Sequence, residues 1–297
     1  DEPDAHLEIL RQKQIYKVLT ETADVSGSQI IAASHSEEIM REAADRDVVI
    51  AFVGPPHRVD DRGSQVAKAL KQIGFDQYYL AEQSGWVLYL EGATDLAILQ
   101  AFADKLDHEA RRWLERPFVQ YVGNQISKAQ EHFHGLREAK PDLAGLIILD
   151  RQETPPVVAG GLALNLWRRR EIENYLCMEE VLHAYAGHEE RDDLFSMRDN
   201  EKRAMAMKRA IEKVTSAVKT LRRLDPWSPD LKVSDEFLTP LFDEYFDLLQ
   251  IPNLMQKTDY HVLAKLVPTD KIDAEVSEKL DAIVACAKLA TPISSDD

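Results

Sequence analysis

Leu88-Tyr89-Leu90-Glu91-Gly92-Ala93-Thr94-Asp95 is the stretch on which the fold of this chain turns, and Leu146-Ile147-Ile148-Leu149-Asp150 is its counterpart. Each is a short apolar run that delivers a carboxylate. A run of this length, followed by a turn and an amphipathic segment, reads as a strand buried on both faces of a parallel sheet. Side chains at the carboxyl ends of such strands meet in one crevice, the usual ligand site of an open α/β sheet. Glu91, Asp95 and Asp150 are therefore expected to converge. Clustered carboxylates repel unless a divalent cation neutralises them, so the pattern points to a metal-dependent phosphoryl-transfer site.

Outward from this core, residues 118–122 predict a further strand, with helices over 94–106 and 124–138. Residues 162–167 predict the last strand, and from about 178 onward the pattern is helical, interrupted at Pro226, Pro229 and Pro252. Toward the N-terminus the pattern predicts helices over 4–24, 36–45 and 64–73, and strands over 29–34 and 47–53, the latter broken by Gly54-Pro55-Pro56. Alternating strands and helices predict parallel sheets with helices on their faces. His132 and His134 are two apart on a helix and so point to different faces, which argues against a zinc pair.

The bulk composition excludes several classes. At 297 residues, 44% hydrophobic and 30% charged, the chain has room for two domains and a sizeable core. Cys177 and Cys286 are too few for a disulfide framework or a cysteine-built zinc site, and a reducing cytoplasm is expected. No apolar run approaches the ~20 residues that span a bilayer, and no signal peptide is present. The chain opens on Asp1 and enters a motif at once, as a piece of something longer would. The net charge of −16 argues against indiscriminate nucleic-acid binding, yet residues 201–224 carry +6 within a chain that is otherwise −22. Lys202, Arg203, Lys208, Arg209, Lys213, Lys219, Arg222 and Arg223 make this either a phosphate-backbone contact or a solvated helix face.

Asp1-Glu2-Pro3-Asp4-Ala5-His6-Leu7 resembles the end of a Walker B motif running into the D-loop of ABC-type ATPases, and the segment before His35-Ser36 resembles that family's switch-histidine strand. The resemblance implies ATP and Mg²⁺ contacts at Asp1 and Glu2, with Glu2 polarising the attacking water and His35 sensing the γ-phosphate. No Gly-x-x-x-x-Gly-Lys-Ser/Thr loop is present, so ATP hydrolysis is expected only with a part upstream of Asp1.

Glu91-Gly92-Ala93-Thr94-Asp95, then Gly123 after a second strand, then Asp150 after a third, resembles a TOPRIM domain. An ABC-type ATPase running into TOPRIM is similar to the overcoming-lysogenization-defect (OLD) family of nucleases and related phage-defence ATPases. The resemblance reaches to about residue 183 and implies an ATPase rear part over 1–82, a TOPRIM domain over 83–183 and a helical region over 184–297. It also implies an endonuclease using Mg²⁺ or Mn²⁺ and acting on nucleic acid, DNA ahead of RNA with the choice between them left open, with water as nucleophile. Glu91 and Asp150 would be catalytic. Metal would be held by Glu91, Asp95, Asp150 and a member of Glu171-Ile172-Glu173, whose run Glu-Ile-Glu-Asn-Tyr-Leu resembles the site-completing segment of such ATPases. Lys257 would stand near the scissile phosphate. A homodimer or tetramer, a cytoplasmic location and a defence partner protein are further implications. Gln152 stands where the family has a second Asp, and a neutral amide cannot neutralise a cation. The alternative is therefore a catalytically silent TOPRIM that serves as a binding or assembly module and recruits a partner effector.

Overall fold

The computed structural model describes residues 3, 7–43, 46–52, 56–58, 73–187 and 194–290, which fall into two compact units. One unit comprises 1–87, 127–145 and 289–297; the other comprises 88–126 and 146–288.

In the first unit, α1 (Ile9–Ser26) ends at Gly27, whose φ of 61° is open to a residue without a Cβ and returns its N–H to Ala23 O. α2 (Glu37–Ala43) starts at Ser36, whose Oγ accepts the Ile39 N–H at 3.3 Å and donates to Gln12 Oε1 at 2.8 Å. The strand predicted over 29–34 does not form. Ile31 is 90% exposed there, and an apolar pair with no sheet neighbour among the described residues gains nothing from extension. The strand predicted over 47–53 shrinks to β1 (Ile50–Ala51), paired antiparallel with β2 (His57–Arg58). The five residues between them are far fewer than the dozen or so that a parallel crossover needs. The helix predicted over 64–73 lies outside the described residues, except for residue 73. α3 (Phe75–Ser84) follows and is closed by Gly85 at φ 70°. Glu82 and Lys140 are buried together in this unit, 3.6 Å apart.

The sheet follows the apolar runs. β3 (Trp86–Leu90) and β5 (Ala144–Leu149) are buried at every position, as strands covered on both faces must be. Between them in sequence come α4 (Ala93–Lys105), α5 (Ala110–Leu114), β4 (Val119–Tyr121) and α6 (Ile126–Ala139), and β6 (Leu162–Leu166) is last. The strand order is β4-β3-β5-β6. β3 and β4 run parallel with Leu88 opposite Val119 and Leu90 opposite Tyr121. Bonds from Trp167 N to Leu149 O and from Arg151 N to Arg170 O advance together along both chains, so β5 and β6 are parallel as well. From β3 the chain crosses to one side and from β5 to the other. The topological switch point therefore lies between β3 and β5, whose carboxyl ends carry Glu91 and Asp150.

The helices after 184 share a unit with the sheet. α7 (Glu179–Gly187), the long α8 (Leu194–Arg222) and α9 (Thr239–Leu249) pack on one another. Met207, Ala210, Ile211, Val214 and Val218 are the buried stripe of α8, at the three- and four-residue spacing of one helical face. Tyr185, Phe242, Tyr245, Phe246 and Tyr260 meet edge-on or tilted in the aromatic core beside it. α10 (His261–Leu266) packs against α4, and α11 (Ala274–Leu289) closes the unit. Thus the helical tail and the strand layer bury one another instead of forming separate cores.

Candidate metal centre at the strand ends

Glu91 follows β3 directly, and the loop around it is pinned by bonds from Val122 N to Leu90 O at 3.0 Å and from Gly123 N to Glu91 O at 3.1 Å. Gly123 adopts φ 57°, a left-handed turn that lets β4 end beside this loop. Asp95 is the third residue of α4, and its Oδ2 accepts the Gly92 N–H at 2.9 Å. One carboxylate thus satisfies a free helix-end donor and faces the positive end of the helix dipole. Asp150 follows β5 and is buried. Glu171 and Glu173 bracket the start of a single 3-10 turn, Ile172–Tyr175.

The electrostatics tie these five groups together. Burial raises the Asp150 pKa to about 9, reinforced by repulsion from Glu91, Glu173, Glu171 and Asp95. Burial likewise raises Glu173 to about 8, with Glu171, Asp95 and Glu91 adding to it. Asp95 rises to about 7 by burial and by repulsion from Glu91 and Glu171, partly offset by the Gly92 N–H. Glu171 is raised by burial against the pull of Ser234 and Lys232. Two nearby cations are committed elsewhere: Arg151 pairs with Asp230 and Lys232 with Asp235, each at 2.8 Å. Among the described residues, none of Glu91, Asp95, Asp150 and Glu173 forms an ion pair. A cluster of this kind holds protons or a cation. Among the described residues, no group of three or more His, Cys, Asp and Glu side chains is set closely enough to hold a metal ion as it stands. The donor set is nevertheless all hard oxygen, the chemistry that suits Mg²⁺ or Mn²⁺.

The structure separates Glu171 from Glu173. Glu171 is 2% exposed and both its oxygens are engaged, Oε1 by the Ser234 N–H and Oε2 by the Ser234 hydroxyl at 3.1 Å. Its own N–H donates to Asn174 Oδ1 at 2.9 Å, and the Asn174 amide donates to Leu231 O at 3.1 Å. Glu171 is thus braced by the segment at 228–234, whereas the Glu173 side chain has no such partner among the described residues. Ser234 opens a π-helical turn, Ser234–Leu238, a form that aims a backbone N–H out of the regular ladder.

A second buried network holds the same segment from α11. Lys279 donates to Asn165 Oδ1 at 2.6 Å and Leu166 O at 2.7 Å, and pairs with Glu275 at 3.0 Å. Glu275 accepts the Arg168 N–H at 2.8 Å and the Tyr175 hydroxyl. Ser234, Asn174, Glu275 and Lys279 were not legible as site residues. For Glu275 and Lys279 the local signal is polarity at positions that the apolar helix face of Val276, Leu280 and Ile283 would assign to the core; Ser234 and Asn174 carry no such signal.

The other expected positions fall as follows. Gln152 donates from its amide to Asn124 O at 3.0 Å and Asn124 Oδ1 at 3.1 Å, joining the loops after β5 and β4. An Asp there would have no N–H to give to the Asn124 carbonyl, which gives Gln152 a reason of its own. Lys257 begins a 3-10 turn and pairs with Asp235, the neighbour of Ser234. His35 is exposed in the first unit, ahead of α2, and Asp1 and Glu2 lie outside the described residues. On α8, Lys213, Lys219 and Arg222 pair with Glu244, Asp225 and Glu236, which leaves the basic segment partly neutralised. No described helix is long and apolar enough to cross a membrane.

Comparison of the chain with protein-family profiles, curated proteins and solved structures returns no match. The fold and site therefore define the protein only as an α/β chain with a parallel four-stranded sheet and a carboxylate cluster at its switch point.

Proposed function

We propose that this chain carries a TOPRIM-type nuclease centre that hydrolyses phosphodiesters with Mg²⁺ or Mn²⁺, coupled to an ABC-type ATPase in an OLD-like defence protein. One observation carries the reading. Carboxylates from two strand ends, Glu91 and Asp150, and from the first turn of α4, Asp95, share one electrostatic environment with Glu173 and have no paired cation among the described residues. Glu91, Asp150 and Glu173 would hold the cation, with Asp95 beside them. When bound, such a cation supplies charge neutralisation at the phosphate and a readily ionised water. The protein's own part is positional. Gly92 fixes Asp95, while Ser234 and Asn174 fix Glu171 and so the turn that presents Glu173.

Plasmid nicking with Mg²⁺ or Mn²⁺ tests this by comparing the wild type with Glu91→Ala. Loss of cutting in the variant is expected, and equal cutting by both removes the nuclease assignment from these residues. The ATP contacts at Asp1, Glu2 and His35, a DNA substrate, a homo-oligomer and a defence partner belong to the same proposal and rest on the sequence resemblance.

A second reading has its own observation. Gln152 is spent on Asn124, so the crevice lacks the second Asp of the family pattern. That favours a silent TOPRIM acting as an assembly module, for which co-purification of a partner without metal-dependent cutting would be the outcome.

A further inference from the structure

Arg168, Arg169 and Arg170 enter the site on the segment that ends in Glu171, and their side chains have unequal commitments. Arg168 pairs with Glu278 on α11. Arg169 pairs with Asp273 at 2.8 Å, donates to Asn174 O at 2.9 Å, and lies over the Tyr175 ring at 4.7 Å. Arg170 is exposed, and among the described residues its guanidinium has neither an ion pair nor a hydrogen bond. Its main chain, by contrast, is held on both sides. Its N–H donates to Pro229 O at 2.7 Å, and its carbonyl accepts from Arg151 N at 3.3 Å. Arg170 is therefore anchored between the residue after Asp150 and the start of the Glu171 turn, beside the carboxylate cluster. Arg151 stands next to it with its guanidinium on Asp230.

A guanidinium without a partner among the described residues, on a fixed backbone next to Glu171 in sequence, suits an anion that accepts two hydrogen bonds. A guanidinium offers planar, paired donors that match a phosphate, and it stays charged at every working pH. The crevice itself would repel a polyanionic strand, so a contact that secures the strand must sit at its edge.

We propose that Arg170 is a backbone-phosphate contact, gripping a non-scissile phosphate of a nucleic-acid strand whose neighbouring phosphate lies at the carboxylate cluster. The proposal rests on the nuclease reading for the placement of the strand, but its test does not need cleavage.

The test is fluorescence anisotropy with labelled 20-nucleotide dT and dA homopolymers in EDTA, on the full chain. Arg170→Ala is expected to weaken binding about tenfold, the scale of one charge-assisted hydrogen-bonded contact. It should also lower the slope of log K against log salt by about 0.7, the single-strand value for one phosphate that the protein no longer neutralises. The weakening should be equal on both homopolymers, because a backbone contact is blind to sequence. Arg170→Lys should recover part of the affinity, and Arg168→Ala should stay within about twofold, since an exposed ion pair contributes little to the fold. An unchanged melting temperature for Arg170→Ala separates the effect from unfolding. The proposal is overturned if Arg170→Ala binds as the wild type does, if Arg168→Ala is weakened as much, or if the wild type binds neither strand. Weakened binding by Arg170→Ala with no nicking by any form keeps the phosphate grip and removes the nuclease. Nicking abolished in Glu91→Ala but untouched, with binding, in Arg170→Ala does the reverse.

Discussion

Replacing Asp150 by Asn should make the apo protein more stable at alkaline pH, even though it removes a residue at the centre of the site. Asp150 is buried at the end of β5 with a pKa raised from 3.8 to about 9 by desolvation and by its acidic neighbours. The unfolded chain releases this proton near the ordinary carboxylate value, while the folded chain keeps it. Between those two values the folded state binds more protons, so stability falls as pH rises, by about 1.4 kcal/mol per pH unit for one proton. From pH 6 to pH 8 the loss is on the order of 2–3 kcal/mol for this group alone. Glu173, raised to about 8, and Asp95, raised to about 7, act in the same direction over part of that range. Stability from this cluster is therefore fully present at acid pH and lost through neutral and alkaline pH. Asn carries no proton to lose. Urea unfolding followed by the fluorescence of buried Trp167 should show the wild type losing about 2–3 kcal/mol more than Asp150→Asn between pH 6 and 8. Added Mn²⁺ should restore the wild type at pH 8 and restore the variant much less. The same pH slope in both proteins, or a variant less stable than the wild type at pH 8, would refute the reasoning.

Two further perturbations probe the braces of the site. Lys279→Met leaves buried Glu275 with only the Arg168 guanidinium, 4.0 Å away, as a cationic partner, and thermal or urea unfolding should register a loss toward the lower end of about 3–5 kcal/mol; adding Glu275→Gln should recover part of it, and no recovery would argue against the ion pair as the cause. Gln152→Asp removes both amide donors to Asn124 at an exposed pair of hydrogen bonds, and should destabilise by about 1 kcal/mol in the same assay. A neutral outcome would mean that Gln152 does not join the two loops in solution.

Local pattern was enough for the strands that build the site. Leu88–Leu90 and Leu146–Leu149 are apolar at consecutive positions in runs too short for a typical helix, the pattern of a strand covered on both faces, and both are buried. The expectation that Glu91, Asp95 and Asp150 converge rests on the same reading, because strand ends in a parallel sheet point one way; among the described residues no three such side chains stand close enough to hold a metal as they are. Residues 29–34 failed for the opposite reason: a β-like run needs a neighbour, and residue type does not provide one.

What the chain determined by its own sequence was the periodicity of each segment and the carboxylates at the segment ends, since those depend on neighbours a few positions away. The tertiary structure alone decided which polar groups are free to act. Among the described residues, Glu171 is engaged by Ser234, 63 positions on, while Glu173 is left open; Arg168 is engaged by Glu278, 110 positions on, while Arg170 is left open. A side chain's chemistry is set by the partner that satisfies it, and these partners arrive from α11 and the 228–234 segment through packing that no local spacing encodes.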